Sequence, residues 1–185
     1  ALAAAASGPR GTFAYTRVPE ANPADAGRYV RLAVDQHLRG EGLAFAVVRR
    51  ATGSVVGSTR FMHAEYWDWG AAGGSTPDRP DAVEIGSTWL AESAQRTGVN
   101  IEMKLLMLSH AFDALGVRRV TLKTDARNRR SRDNIERVGA TFEGVLRAHM
   151  PATDGGVRDS AWYSILAGEW PAVRERLSAR LRPAD

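Results

Sequence analysis

One strand-to-helix junction decides the fold: Trp89-Leu90-Ala91-Glu92-Ser93-Ala94-Gln95-Arg96-Thr97-Gly98-Val99-Asn100-Ile101-Glu102. A predicted strand enters a short loop that contains Gly98, and the loop opens a helix. The first backbone N–H groups of a helix have no intrahelical partner, and the helix dipole attracts negative charge there. The junction therefore predicts a site for a phosphate or pyrophosphate. An ordinary helix start, with Glu102 complementing the dipole, is the alternative.

Two common nucleotide-binding motifs are excluded at this junction. No lysine follows a glycine at the spacing of G-x-x-x-x-G-K-[ST], and G-x-G-x-x-G is also missing. The unit lies in the middle of the chain. Binding of a nucleoside triphosphate or a dinucleotide is therefore not predicted.

The helix that follows the junction carries the strongest periodic signal in the chain. Its apolar stripe has the spacing i, i+4, i+7, i+11 and i+14 and consists of Ile101, Leu105, Leu108, Phe112 and Leu115. Gly116 then predicts the end of this helix.

Outward from this helix, the chain alternates between strand and helix patterns. Strands are predicted over 43–50, 54–66, 83–90, 117–124, 141–150 and 157–166, and further helices over 23–38, 128–138 and 171–181. Residues 68–81 are rich in Gly, Pro, Ser and Asp and predict a loop. This order predicts a mixed α/β sheet with a βαβα unit at its centre.

Composition excludes several classes of protein. The 185 residues predict one domain, 1–185, and contain no cysteine, so disulfide scaffolds, thiolate metal sites and cysteine nucleophiles are excluded. No apolar run approaches the roughly 20 residues of a membrane helix. The four histidines lack the spacing of metal ligands, so we expect no metal site. A cytoplasmic location is the default expectation.

One segment is strongly basic although the net charge is only +4. From Arg118 to Arg137 there are seven arginines and Lys123 against three acidic residues. Such a segment can hold the phosphates of a small cofactor or of nucleic acid. A nucleic-acid-binding module is therefore an alternative, although the segment lacks interleaved aromatic residues.

Three segments, in the correct order, resemble the GNAT superfamily of N-acetyltransferases. The loop 95–100 resembles its Q/R-x-x-G-x-G/A motif. The segment 123–131, followed by 139–144, resembles the strand, asparagine and helix of the RimJ/RimL-type branch, which includes ribosomal-protein-alanine acetyltransferases. Residues 157–164 resemble that branch's penultimate segment. The resemblance covers about residues 43–181.

The resemblance implies an α/β (α+β) fold whose mostly antiparallel sheet is split in a V and flanked by helices. Acetyl-CoA would lie in this opening as the co-substrate. Its pyrophosphate would bind the backbone of Gln95, Arg96, Thr97, Gly98, Val99 and Asn100. Its pantetheine arm would pair with the strand edge at Trp89, Leu90 and Ala91, with the N–H near Leu90 polarising the thioester carbonyl. Asn128 would bond the pantetheine arm, and Ser131 would lie near the sulfur.

The sequence departs from the family pattern in two places. Asn100 stands where the loop usually ends in glycine or alanine; asparagine tolerates unusual backbone angles, so we expect cofactor binding to survive. The first strand of the fold is expected to be missing or trimmed.

The resemblance implies direct attack of an amine on the thioester, which needs a base and a proton donor. Glu84 is the candidate base, because the family carries a glutamate at this distance from the loop; a strand-edge glutamate in a salt bridge is the alternative. Ser131 is the candidate acid, unless it only hydrogen-bonds CoA. Tyr163 is the reserve donor or a core residue. Glu143 and His149 are weaker candidates for facing the substrate.

The predicted function is an acyl-CoA-dependent N-acyltransferase. The acceptor would be a protein N-terminal α-amine or a small-molecule amine, and the acyl group acetyl, or succinyl if arginines hold its carboxylate. His63, Tyr66, Trp67 and Trp69 could wall the acceptor site, form a dimer contact or pack under the loop. A homodimer is plausible. A catalytically silent CoA-binding homologue is an alternative function.

Overall fold

The computed structural model describes residues 1–70 and 79–182 and forms a six-stranded sheet with five α-helices. The strands are β1 (Gly42–Arg49), β2 (Ser54–Glu65), β3 (Ala82–Leu90), β4 (Arg119–Asp125), β5 (Thr141–Pro151) and β6 (Val157–Leu166). The helices are α1 (Leu2–Ala5), α2 (Pro23–Leu38), α3 (Val99–Ser109), α4 (Arg129–Val138) and α5 (Trp170–Ala179). The predicted loop over 68–81 lies partly outside the described residues.

The sheet has the strand order β1-β2-β3-β4-β6-β5. Every neighbouring pair is antiparallel except β3 and β4, which are parallel. These two strands pair only between Ala82–Glu84 and Arg119–Thr121, a contact that we call the seam. Beyond the seam their carboxyl ends separate. The expected mixed, mostly antiparallel sheet that opens in a V is therefore confirmed.

The main core lies on the face of the sheet that α3, α4 and α5 cover. It includes the fully buried side chains of Leu108, Val120, Ile165 and Leu177. A second cluster forms on the other side of β3, where Phe13 meets the Trp89 ring edge-to-face at 5.9 Å between centroids. The end of β3 is thus packed from both sides, which holds the strand-to-helix junction in place.

Local signals explain where the helices begin and end. The side chain of Asn22 accepts a hydrogen bond from the N–H of Asp25 at 2.9 Å, and Pro23 occupies the first turn of α2. The predicted long helix changes at Ser109 into a π-helical turn, His110–Ala114. There the N–H of Leu115 bonds the carbonyl of His110 at 3.0 Å. The apolar stripe continues through this turn, so periodicity alone does not reveal it.

Two expected absences can be compared with the described part of the chain. No helix in residues 1–70 and 79–182 is long and apolar enough to cross a bilayer. The same residues hold no group of three or more His, Asp or Glu side chains placed to bind a metal ion.

Candidate functional site

The V-shaped opening begins immediately after Glu84, the last residue of β3 in the seam. On its other side β3 stays bonded to β2, and just past the strand the N–H of Ala91 donates to the carbonyl of Val56 at 2.7 Å. Ser87 has a positive φ of 47°, which breaks the strict alternation of the strand. From Ile85 to Leu90, the edge of β3 that faces β4 is not paired with another described strand.

The loop from Gln95 to Gly98 turns the chain from β3 into α3. Gly98 is the N-cap of α3 with φ +83°, in the left-handed region that favours glycine. No side chain of the described residues caps this helix. The first N–H groups of α3 therefore remain available at the mouth of the opening, as an anion site requires.

Gln95 and Arg130 connect the two sides of the opening. The Gln95 amide Nε2 donates to the carbonyl of Leu90 at 2.9 Å, and its Oε1 accepts from Arg130 Nη1 at 3.4 Å. Arg130 Nη2 also donates to the carbonyl of Thr12 at 2.7 Å. The sequence pattern did not single out Arg130, since 35 positions separate it from its partner in the loop. Its guanidinium adds positive charge beside the helix start.

Asn128 and Ser131 begin helix α4 on the opposite arm. The Oδ1 of Asn128 accepts a hydrogen bond from the N–H of Ser131 at 3.1 Å, so Asn128 is the N-cap of α4. The side-chain Nδ2 of Asn128 has no hydrogen bond within the described residues, and Ser131 is half-buried in the first turn. Both residues therefore lie at the start of α4.

Glu84 lies at the end of the seam and forms an ion pair across it. Its side chain is 3 % exposed, and its Oε2 lies 2.8 Å from Nζ of Lys123 on β4. The more exposed ring of His63 approaches the same oxygen at 3.8 Å. Lys123 is therefore the partner that the alternative interpretation of Glu84, a strand-edge glutamate in a salt bridge, requires. His63 also offers a route by which a proton could pass from Glu84 to solvent.

Lys104 is a buried lysine that the sequence analysis did not single out. It lies on α3, and its Nζ donates to the hydroxyl of Thr88 at 3.3 Å. Thr88 in turn bonds Thr59 at 2.8 Å. Burial lowers the pKa of Lys104 to about 8, and the charge of Glu84 opposes this shift. Lys104 lies outside the predicted apolar stripe, and lysine is mostly exposed, so its burial depends on the tertiary packing.

Replacing Lys104 with methionine is expected to stabilise the protein at neutral pH. A folded-state pKa of about 8 against an ordinary 10.5 corresponds to a cost of about 3 kcal/mol at pH 7. The unfolded chain binds more protons between these two values, so the wild type gains stability as the pH rises through that range. Denaturant unfolding should show a higher free energy of unfolding for Lys104→Met than for the wild type at pH 7. The difference between the two proteins should become smaller toward pH 10. A gap that is independent of pH would contradict this assignment.

Tyr163 packs in the core, which is the second of the two alternatives that the sequence left open for this residue. The side chain is fully buried, its hydroxyl donates to Glu136 Oε1 at 3.1 Å, and it accepts from Arg132 Nε at 3.0 Å. Burial raises the pKa of Tyr163. Because β-strand side chains alternate, Tyr163 faces α4 while its neighbour Trp162 faces the other side of the sheet.

Glu143 and His149, the weaker candidates, have different surroundings. Glu143 forms an ion pair with Arg119 and accepts from the hydroxyl of Ser164 at 2.7 Å, so its charge is neutralised at the start of β4. His149 Nδ1 lies 2.9 Å from the hydroxyl of Ser160, on the face of the sheet that carries Lys123. Only His149 is thus close to the ion pair of Glu84.

The aromatic residues after β2 pack at the amino-terminal ends of β3 and β4. The rings of Trp67 and Trp69 lie 5.8 Å apart, and Trp69 Nε1 donates to Asp81 at 3.0 Å. Arg118 stacks on the Trp69 ring at 4.4 Å. The two tryptophans therefore contact each other and the residues that precede β3 and β4, while both remain partly exposed. Residues 71–78 of the same loop lie outside the described residues.

Most arginines of the basic segment 118–137 are occupied by contacts within the protein. Five of the seven contact an acidic or polar side chain. They are Arg118 with Asp81, Arg119 with Glu143, Arg127 with Asp125 and Asp154, Arg130 with Gln95, and Arg132 with Tyr163. The segment therefore joins elements of the fold through these contacts.

Comparison with known proteins agrees with this arrangement. Residues 1–141 match the family model of the acetyltransferase (GNAT) domain. The chain is similar to a GCN5-related N-acetyltransferase from Brucella melitensis, with 31% identity, a TM-score of 0.83, and coverage of 98% of this chain and 76% of that one. No curated protein sequence matches the chain.

Two more distant structures share the fold. Mycobacterium smegmatis RimJ in complex with CoA-disulfide has 23% identity and a TM-score of 0.67, and the match covers 85% of this chain and 68% of that one. A ribosomal-protein-S5-alanine acetyltransferase from Vibrio fischeri has 17% identity and a TM-score of 0.66, with coverage of 91% and 87%. At these identities the likeness concerns the fold alone.

Proposed function

Because the chain belongs to the GNAT acetyltransferase family, we propose that it transfers an acetyl group from acetyl-CoA to a primary amine. The observation that carries the proposal is the opening after the seam, where an unpaired strand edge leads directly to the uncapped start of α3. An edge of this kind binds an extended amide chain, and a helix start of this kind binds phosphate. Acetyl-CoA carries both groups in that order.

The chain's own groups fit the co-substrate along the whole opening. The backbone N–H groups that follow Gly98 would bind the pyrophosphate, with Arg130 beside them. The N–H of Ala91 points to β2, so the alternation of backbone groups directs the N–H of Leu90 toward the opening. There it can polarise the thioester carbonyl. The free amide nitrogen of Asn128 would bond the pantetheine arm from the opposite side.

Glu84 is proposed to accept the proton of the attacking ammonium through a water molecule. Its carboxylate lies where β3 and β4 separate, next to the strand edge that would hold the thioester. Lys123 neutralises its charge in the resting protein, and His63 connects it to solvent. Only the neutral amine has the electron pair that attacks the carbonyl carbon, so this transfer must precede bond formation.

Ser131 is proposed to donate a proton to the departing CoA thiolate. It lies in the first turn of α4, three residues after Asn128 and therefore on the same face of that helix. The positive end of the helix dipole is also directed at this position, which favours a thiolate.

Two variants that each remove one hydroxyl group distinguish the role of Ser131 from that of Tyr163. Ser131→Ala should lower kcat about tenfold or more and leave the free energy of unfolding unchanged. Tyr163→Phe should leave kcat nearly unchanged and cost about 1 kcal/mol of stability, because it removes a buried hydroxyl with two partners. Steady-state kinetics and denaturant unfolding of both variants provide the comparison. A larger loss of kcat in Tyr163→Phe would restore the tyrosine as the donor.

The acceptor is proposed to be an α-amine of a protein N-terminus, as in the RimJ/RimL-type branch, with a small-molecule amine as the alternative. This assignment rests on the motifs of residues 95–100, 123–131 and 157–164 and on the fold shared with RimJ. A homodimer and a cytoplasmic location belong to the same proposal.

The proposed function is tested by calorimetry with acetyl-CoA and by release of CoA thiol in the presence of amines. The chain has no cysteine, so a thiol reagent detects only the product CoA. We expect micromolar binding and amine-dependent thiol release with alanine-initiated peptides. Binding without release from any amine would indicate a silent CoA-binding homologue, and no binding would refute the proposal.

A further inference from the structure

A group of hydrogen-bond donors lies beside Glu84 on the sheet face opposite the main core. Arg158, Ser160 and Trp162 alternate along β6 and share that face. Lys123 is the cross-strand partner of Trp162, and its Nζ lies 5.0 Å from the centre of the indole. His149 meets the same ring edge-to-face at 5.6 Å. We call these five residues the donor group.

Arg158 is the cation of the donor group that lacks a carboxylate partner. Lys123 is paired with Glu84, and the neighbouring Arg127 is paired with Asp125 and Asp154. Within the described residues, Arg158 has no carboxylate at ion-pair distance and makes one side-chain hydrogen bond, from Nε to the hydroxyl of Ser160 at 2.9 Å. Its side chain is half-buried, and its two terminal nitrogens make no hydrogen bond with the described residues.

The hydroxyl of Ser160 lies between Arg158 and His149, and it favours one tautomer of the neutral histidine ring. It accepts from Arg158, so its own proton is available for Nδ1 of His149 at 2.9 Å. The other ring nitrogen, Nε2, then carries the hydrogen and is a donor. Burial and the charges of Lys123 and Arg158 lower the pKa of His149, which agrees with a neutral ring.

Trp162 adds a donor that has no acceptor. Its indole Nε1 is buried and makes no hydrogen bond with the described residues. Buried donors are nearly always satisfied, and an orphan in a native protein requires an explanation. The other members of the donor group are themselves donors, and no acceptor of the described residues reaches this nitrogen.

We propose that the donor group is a carboxylate subsite next to the reacting amine. The inference rests on the proposed function, because it places the subsite on the acceptor side of Glu84. A carboxylate has two acceptor oxygens and matches the fork of Arg158 with bidentate geometry. The substrate would thus be an acidic one. The carboxylate belongs either to the acceptor, as an acidic residue next to the α-amine, or to the acyl group, as in a dicarboxylic acyl-CoA.

Calorimetry distinguishes the two sources. One arm compares succinyl-CoA with acetyl-CoA. The other titrates the peptide amides Ala-Glu-Ala and Ala-Gln-Ala into protein saturated with CoA. We expect the carboxylate-bearing ligand of one arm to bind about tenfold or more tightly than its uncharged match. That preference should disappear in Arg158→Gln and weaken in Trp162→Phe, which removes only the indole donor.

Arg174→Gln is the matched control, since this exposed arginine lies on α5 and, among the described residues, pairs with Asp113 alone. The control should keep the full preference. The carboxylate subsite would be overturned if the carboxylate-bearing ligand bound no more tightly than its uncharged match in either arm, or if the preference were unchanged in Arg158→Gln and Trp162→Phe. Binding of acetyl-CoA would still support the proposed function in that case. Failure of the wild type to bind acetyl-CoA would overturn the proposed function itself.

Discussion

Gly98→Trp is expected to abolish acetyl-CoA binding at concentrations that saturate the wild type. The bulky side chain would occupy the space where a pyrophosphate must approach the N–H groups of α3. Losing two charge-assisted hydrogen bonds, each worth about 1.5–3 kcal/mol, weakens binding by roughly 100-fold or more. Calorimetry on the two proteins measures the difference directly.

The control for Gly98→Trp is Gly155→Trp, in the turn between β5 and β6. The two glycines have nearly the same backbone strain, with φ +83° and +85°, and neither has a neighbour close enough to block a Cβ. The control variant therefore carries the same conformational penalty at a position away from the proposed phosphate site. If both variants lose binding equally, the loss comes from destabilisation, and the phosphate assignment of the loop is wrong.

Glu84→Gln is expected to lower kcat/KM by roughly 10²–10⁴, the usual contribution of a positioned base. The same change leaves Lys123 buried without its partner, since the two side chains are 3% and 11% exposed. Breaking such a pair costs about 3–5 kcal/mol of stability. Kinetics must therefore be measured together with the free energy of unfolding and with acetyl-CoA binding.

The double variant Glu84→Gln/Lys123→Met separates catalysis from stability. Replacing both members of a buried ion pair is often nearly neutral, so most of the lost stability should return. Activity should stay as low as in Glu84→Gln alone. A double variant that regains activity would show that Glu84 is a structural partner of Lys123 and that another group is the base.

The fold could be predicted because its signals are local. Asn22 and Pro23 mark the start of α2, and the predicted range 23–38 is the observed one. The range 157–166 likewise agrees with β6. The π-helical turn after Ser109 was not predicted, because a backbone bond from Leu115 to His110 leaves the apolar stripe intact. The insertion of β6 between β4 and β5 depends on long-range pairing that no local pattern encodes.

The site could be predicted only where one segment carries it. Gly98 and Asn128 act through backbone geometry close to them in sequence, so their motifs were readable. The contacts of Arg130 and Lys104 join segments far apart in the chain. The donor group depends on the irregular register between Leu146 and Met150, which a sequence pattern does not show. Which of the two roles Tyr163 has depends on the face of β6 that packs against α4, and that is set by tertiary contacts with Arg132 and Glu136.

The shortness of the seam has a mechanical consequence. Three residue pairs join the half-sheet of β1, β2 and β3 to the half-sheet of β4, β6 and β5. The two half-sheets are therefore connected along one short line, which the ion pair of Glu84 and the packing of α3 stabilise. A substrate that binds the free edge of one half-sheet and contacts the other half-sheet fills the opening and opposes separation of the two half-sheets. Occupancy of the opening and rigidity of the whole molecule then change together.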